Sequence, residues 1–131
     1  MRSIVLACAF GLWASAPAYA KDSIVGLWQT EPDRKELTSH IEVTACGAGY
    51  CGRVLRAFDP SGTEVKTRNI GKMLFWDMKP QADGTFGGGA AYVPLLNVTT
   101  SNVALTLSGE QLQVKGRVGP MRGTQVWTRL R

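Results

Sequence analysis

From residue 24 onward, apolar and polar residues alternate in short runs, and turn-forming residues separate the runs at near-regular spacing. An amphipathic helix would repeat its apolar residues three and four positions apart, whereas strict alternation lines one face of a strand. Ile24-Val25-Gly26-Leu27-Trp28 reads as a first strand. Ile41, Val43 and Ala45 alternate with His40, Glu42 and Thr44. Val54 to Phe58 follows, before the turn Asp59-Pro60-Ser61-Gly62. Glu64 to Arg68 reads as a short polar strand. Leu74, Trp76 and Met78 share one side of the next run, and Thr85 to Val93 resumes after Asp83-Gly84. Val103, Leu105 and Leu107, then Leu112, Val114 and Val118, line one side of two further runs. Thr124 to Leu130 closes the chain after Gly119-Pro120.

This pattern predicts an all-β domain of eight or nine strands with no amphipathic helix, as a sandwich or a barrel. A small antiparallel up-and-down barrel is the better solution. Closure removes the edges that a small sheet must otherwise protect, and eight strands enclose room for side chains or one small ligand. At 131 residues the chain has the length of one domain.

Residues 1–20 have a different character. Met1-Arg2 gives a positive start, Ser3 to Ala14 is uncharged and mostly apolar, and Ala18-Tyr19-Ala20 has the small-x-small form of a signal-peptidase site. The apolar run is shorter than the roughly 20 residues that span a bilayer. A lipid attachment at Cys8 would leave almost no apolar core ahead of it. The expectation is a cleaved secretory signal over 1–20, a single domain over 21–131, and a periplasmic or secreted location. No transmembrane segment is expected.

Cys46 and Cys51 are the cysteines left after that cleavage, and in an exported chain two cysteines pair. Gly47-Ala48-Gly49-Tyr50 separates them, with two glycines to permit a tight reversal. A thiol redox pair would have two intervening residues at a helix start. The reading is a structural staple contributing about 2 kcal/mol by loop-closure entropy.

Gly26-x-Trp28 with Trp127-x-Arg129 near the end of the chain resembles lipocalins and their calycin relatives. That resemblance implies that the tryptophan plugs a closed barrel end and the arginine stacks across it, with Gly26, Trp28, Trp127 and Arg129 as barrel-closing residues. A guanidinium lying on an indole face makes this physically sound. A larger set is more specific: Cys46-Gly47-x-x-x-Cys51-Gly52-Arg53, Met78-Lys79-Pro80 before Asp83-Gly84, Gly87-Gly88 before Tyr92, Val114-Lys115-Gly116, and Gly123-Thr124-Gln125-x-Trp127-x-Arg129. In this order they resemble the bacterial domain-of-unknown-function family twenty-one forty-seven, whose members are exported, lipocalin-like barrels. The chain departs from that family where Val93 stands in place of an aspartate before Pro94. It departs again where Leu95-Leu96-Asn97-Val98 replaces a glycine-rich polar turn. A polar role for that aspartate therefore does not carry over.

The residues offer little catalytic material. His40 is the one histidine and reads as a surface residue beside Glu42, with no glycine-flanked serine elbow in the chain. No Cys/His cluster or calcium loop suggests a metal, and no cofactor is expected. Net charge is +5, but no basic run concentrates it, so nucleic acid is not an expected partner. Gly87-Gly88-Gly89-Ala90-Ala91 either lets another element approach closely or leaves space inside a barrel. Trp76, Phe86 and Tyr92, with Leu74 and Met78, are either barrel core or the lining of an apolar ligand site. The first functional expectation is a non-enzymatic exported protein holding a small apolar or amphipathic ligand, with a mouth-side arginine orienting an acidic head group. The second is an envelope interaction module with a filled barrel, and a hydrolase is third.

Overall fold

The structure, a computed structural model, describes residues 23–131. The expected signal segment and its cleavage point after Ala20 lie outside the described residues. Eleven strand segments follow one another: β1 (Gly26–Gln29), β2 (Thr38–Cys46), β3 (Gly49–Phe58), β4 (Glu64–Val65), β5 (Met73–Pro80), β6 (Thr85–Gly87), β7 (Ala90–Val93), β8 (Val98–Thr100), β9 (Val103–Ser108), β10 (Gln111–Val118) and β11 (Met121–Arg129). All pairings are antiparallel. β3 pairs with β5 as well as β2, and β1 pairs with β11, so the sheet closes on itself.

Eight strands make the ring. β6 and β7 pair with β5 in one continuous register, Lys79 with Gly87 and Phe75 with Ala91. β8 and β9 pair with them in another, Ala91 with Thr100 and Thr85 with Thr106. Each pair of segments is therefore one interrupted strand, and β4 is an addition outside the ring, paired to the end of β3. The interruption has a local cause. A Cβ at Gly89 would collide with the Trp76 carbonyl and the Asp77 backbone. The glycine run thus serves close approach of two backbones, and the alternative of empty barrel space is not what this segment provides.

Strict alternation also fails at this level. A two-residue step on β3, from Tyr50 to Gly52, lies against a three-residue step on β5, from Met78 to Phe75, and Asp77 has φ 55°. This bulge turns both Phe75 and Met78 inward. The expected shared side of Leu74, Trp76 and Met78 is corrected accordingly. Ala45, past the inward Ile41 and Val43, is exposed because the β2–β3 hairpin projects at the barrel end. The polar strand expected over 64–68 is limited to Glu64–Val65.

The core contains Trp28, Ile41, Val43, Val54, Phe75, Met78, Phe86, Leu105, Leu112 and Trp127. Burying each large apolar side chain stabilises the fold by about 1.5–3 kcal/mol. The end reached by 47–48, 81–84 and 109–110 is closed as a floor. The indole N–H of Trp28 donates to the Ile24 carbonyl at 2.9 Å. The Arg129 guanidinium carbon lies 4.4 Å from the centre of that indole. Its Nη1 and Nη2 donate to the carbonyls of Val25 and Ser23 at 3.1 and 2.6 Å. Residues 23–25 are thereby strapped across the barrel end. A disulfide joins Cys46 and Cys51 in the β2–β3 hairpin, whose register sets Cys46 against Gly49 and Cys51 against Thr44.

Candidate functional site

The connections 30–37, 59–72, 94–97 and 119–120 lie at the other end, because antiparallel strands alternate their turns between the two ends. This end is open. β10 and β11 pair without a break from Gln111 with Thr128 to Val118 with Met121. Their inward face begins at the floor with buried Leu112 and Trp127. It continues through Val114, Gly116 and Val118 on one strand, and Gln125, Gly123 and Met121 on the other. The last three are exposed.

Gly116 and Gly123 are direct cross-strand partners, and a Cβ at either would meet nothing within 4 Å. Two adjacent inward positions without side chains leave room at a level where the wall is otherwise apolar. Val103, paired with Gly116 on its other side, is buried. Thr100 is buried too, its hydroxyl donating to the Arg117 carbonyl at 2.7 Å. The wall is notched beside this space. β1 stops at Gln29, opposite Thr128, so Met121 to Val126 has no strand on that flank. Glu31 reaches over from the 30–37 connection, and its Oε2 accepts from the Val126 N–H at 2.6 Å.

Two grooves among the described residues lie elsewhere. A groove of about 630 Å³ lies on the outer wall, where Pro32, Thr38, His40, Phe58 and Pro60 meet. The imidazole and the Phe58 ring are 4.6 Å apart. His40 Nδ1 is buried without a partner. Burial lowers the His40 pKa below its ordinary value, and Arg56 lowers it further. His40 makes no hydrogen bond to a hydroxyl or carboxylate among the described residues, so no base and nucleophile are paired there. A smaller groove of about 440 Å³ follows the turn at 81–84 beside the floor. Among the described residues no three His, Cys, Asp or Glu side chains gather to hold a metal ion.

The ligand-lining set expected from the sequence is dispersed. Phe86 and Met78 are core residues, and Leu74 is half-buried against that core. Trp76 and Tyr92 are corrected to the outer face. Their registers, Trp76 with Ala90 and Tyr92 with Thr99, alternate with those of inward Phe75 and Ala91. The Tyr92 hydroxyl donates to Asn97 Oδ1 at 2.8 Å, and the Lys72 ammonium lies 5.3 Å from its ring centre. Trp127, inward beside Phe75, bonds through its indole N–H to Gln125 Oε1 at 2.8 Å. The glycine pair at the open end carries a signal that sequence reasoning left unused. A two-residue turn at Gly119-Pro120 pairs Val118 with Met121, and counting back along both strands sets Gly116 opposite Gly123.

The family described as "Uncharacterized protein conserved in bacteria (DUF2147)" matches residues 26–129, nearly the whole barrel. The chain belongs to the DUF2147 family. Its match runs from the glycine of Gly26-x-Trp28 to Arg129, so the floor residues bound the DUF2147 unit on both sides. A solved structure of protein HP1028 from Helicobacter pylori, described as belonging to the lipocalin family, has a similar fold. It superimposes with a TM-score of 0.65 at 18% identity, covering 83% of this chain and 84% of that one. The DUF2147 barrel thus shares a lipocalin-like fold. No curated protein matches this DUF2147 chain in sequence.

Proposed function

We propose that this chain is an exported, non-enzymatic barrel that holds the apolar part of a small amphiphile at its open end. The observation carrying this reading is the facing pair Gly116 and Gly123, which leaves inward space between an apolar wall and solvent. The floor half is filled by Trp28, Phe75, Met78, Leu112 and Trp127, which limits a guest to the upper half. Apolar space of this kind accepts apolar guests. Binding would draw on about 25 cal/mol per Å² of apolar surface buried, before association costs. The Cys46–Cys51 disulfide and the signal-like residues 1–20 support export. The filled lower half also favours the second reading, an envelope interaction module acting through its surface.

Titration with a panel of fatty acids and related amphiphiles separates the two. Trp127 borders the open half, so its emission is expected to change saturably on binding. Gly123→Phe, at a position with free space for a side chain, is expected to occupy the site and remove the response while the barrel stays folded. A panel giving neither a saturable signal nor a thermal shift would reject the holder and leave the interaction module.

A further inference from the structure

Charge and exposed apolar groups are segregated around the open end. Three of the four large exposed apolar side chains belong to this end: Ile70 (37% exposed), Leu95 (59%) and Met121 (55%). They lie in or beside the connections that cap β5 through β11. Along that arc the charged residues are Lys66, Arg68, Lys72, Arg117 and Arg122. No carboxylate occurs between Glu64 and Asp77 or after Glu110, and residues 84–109 carry no Asp, Glu, Lys or Arg. The acids of the open end, Glu31, Asp33, Glu36, Asp59 and Glu64, all belong to 30–37, where Arg34 and Lys35 accompany them, and to 59–64, on the β1–β3 side of the rim. Arg117 and Arg122 are direct cross-strand partners, both exposed. Like charges placed opposite each other repel, and among the described residues neither has a carboxylate in ion-pair range. An anion between them would relieve the repulsion.

We propose that this arc docks on an anionic lipid bilayer. Ile70, Leu95 and Met121 enter the boundary between headgroups and acyl chains, and Arg117, Arg122 and the lysines meet lipid phosphates. The open end then faces the surface from which an amphiphile is taken or to which it is returned. The proposal extends the holder reading but does not depend on it, since the arc can dock whether or not the glycine-lined space takes a guest.

Co-sedimentation of the protein with phosphatidylglycerol–phosphatidylcholine vesicles, against phosphatidylcholine alone, tests it. Binding is expected only with the anionic lipid and is expected to weaken as salt rises. Arg117→Gln with Arg122→Gln is expected to weaken it about thirtyfold, and Leu95→Ser to weaken it at fixed charge. Lys35→Gln with Lys79→Gln, which removes as much charge from the acidic arc and the floor half, should leave binding near that of the parent. Equal binding to neutral vesicles, equal loss with the control pair, or no binding overturns the proposal. Self-association abolished by Leu95→Ser, without vesicle binding, would instead assign the face to a second copy and also overturns it. Loss of the fatty-acid signal in Gly123→Phe with vesicle binding intact marks the two sites as separate. Vesicle binding with no fatty-acid response in the parent protein would defeat the holder alone.

Discussion

His40 lies on the outer wall against Phe58, with its Nδ1 buried and unpaired. Burial disfavours the imidazolium and Arg56 opposes it further, while Glu64 partly compensates. The folded pKa is therefore below 6.5, and the unfolded chain takes up the proton first as pH falls. The stability held by neutral His40 is complete above pH 6.5 and is lost as pH drops through the folded value. Thermal midpoints measured from neutral to mildly acidic pH are expected to fall across that window, and His40→Gln should flatten this part of the slope. An unchanged slope in the variant would assign the pH dependence to other groups. Trp28 and Trp76 contrast at the same scale. Both sit in apolar runs, yet one is fully buried beneath Arg129 and the other is half-buried on the outer face.

At the scale of the strand, glycines of identical chemistry do opposite things. Gly89 sits where β5 presses against the start of β7, and no Cβ fits between them. Gly116 and Gly123 face open space in extended backbone. Gly89→Ala is expected to cost about 1–3 kcal/mol through overpacking. Gly116→Ala is expected to be neutral, or to stabilise by about 0.5–1 kcal/mol by lowering the chain entropy lost on folding. Urea unfolding of the two variants beside the parent decides this, and a Gly116→Ala variant destabilised as much as Gly89→Ala would mean that the open end is closed in solution. The bulge at Asp77 belongs to the same level of the barrel. It keeps both Phe75 and Met78 in the core although they are three residues apart.

For the whole molecule, an up-and-down ring joins sequence neighbours everywhere except at the β1–β11 seam. That seam is tied at the floor, where the Leu27 N–H donates to the Arg131 carbonyl and the Leu130 N–H to the Leu27 carbonyl, each at 2.7 Å. Because these contacts are made by Leu27, Leu130 and Arg131, the ring is expected to keep its closure after loss of residues 1–20. Intact mass of protein isolated from the cell envelope is expected to fit a chain starting at Lys21. Peptide mapping without reductant should recover Cys46 and Cys51 in one crosslinked fragment. Full-length protein recovered from the cytosol with free thiols would reject export.

The strand content, the barrel, the family and the hairpin cysteines were legible in the order of residues, since alternation, turn residues and short spacings are local properties. That order also carried the Gly-x-Trp start and the late arginine that meet across the floor. Which residues of each run face inward was decided by the tertiary structure. One bulge at Asp77 exchanges the faces of half a strand, at the level where Gly89, twelve positions further along the chain, lies against β5. Trp76, read as lining, therefore stands outside, Tyr92 stands outside because its register alternates with that of inward Ala91, and Gly116 and Gly123 face open space. The cationic arc is likewise invisible in the order of residues. Its members come from the 59–72 connection and from the paired ends of β10 and β11, and no basic run exists, so only closure of the barrel brings Lys66, Arg68 and Lys72 to the same end as Arg117 and Arg122.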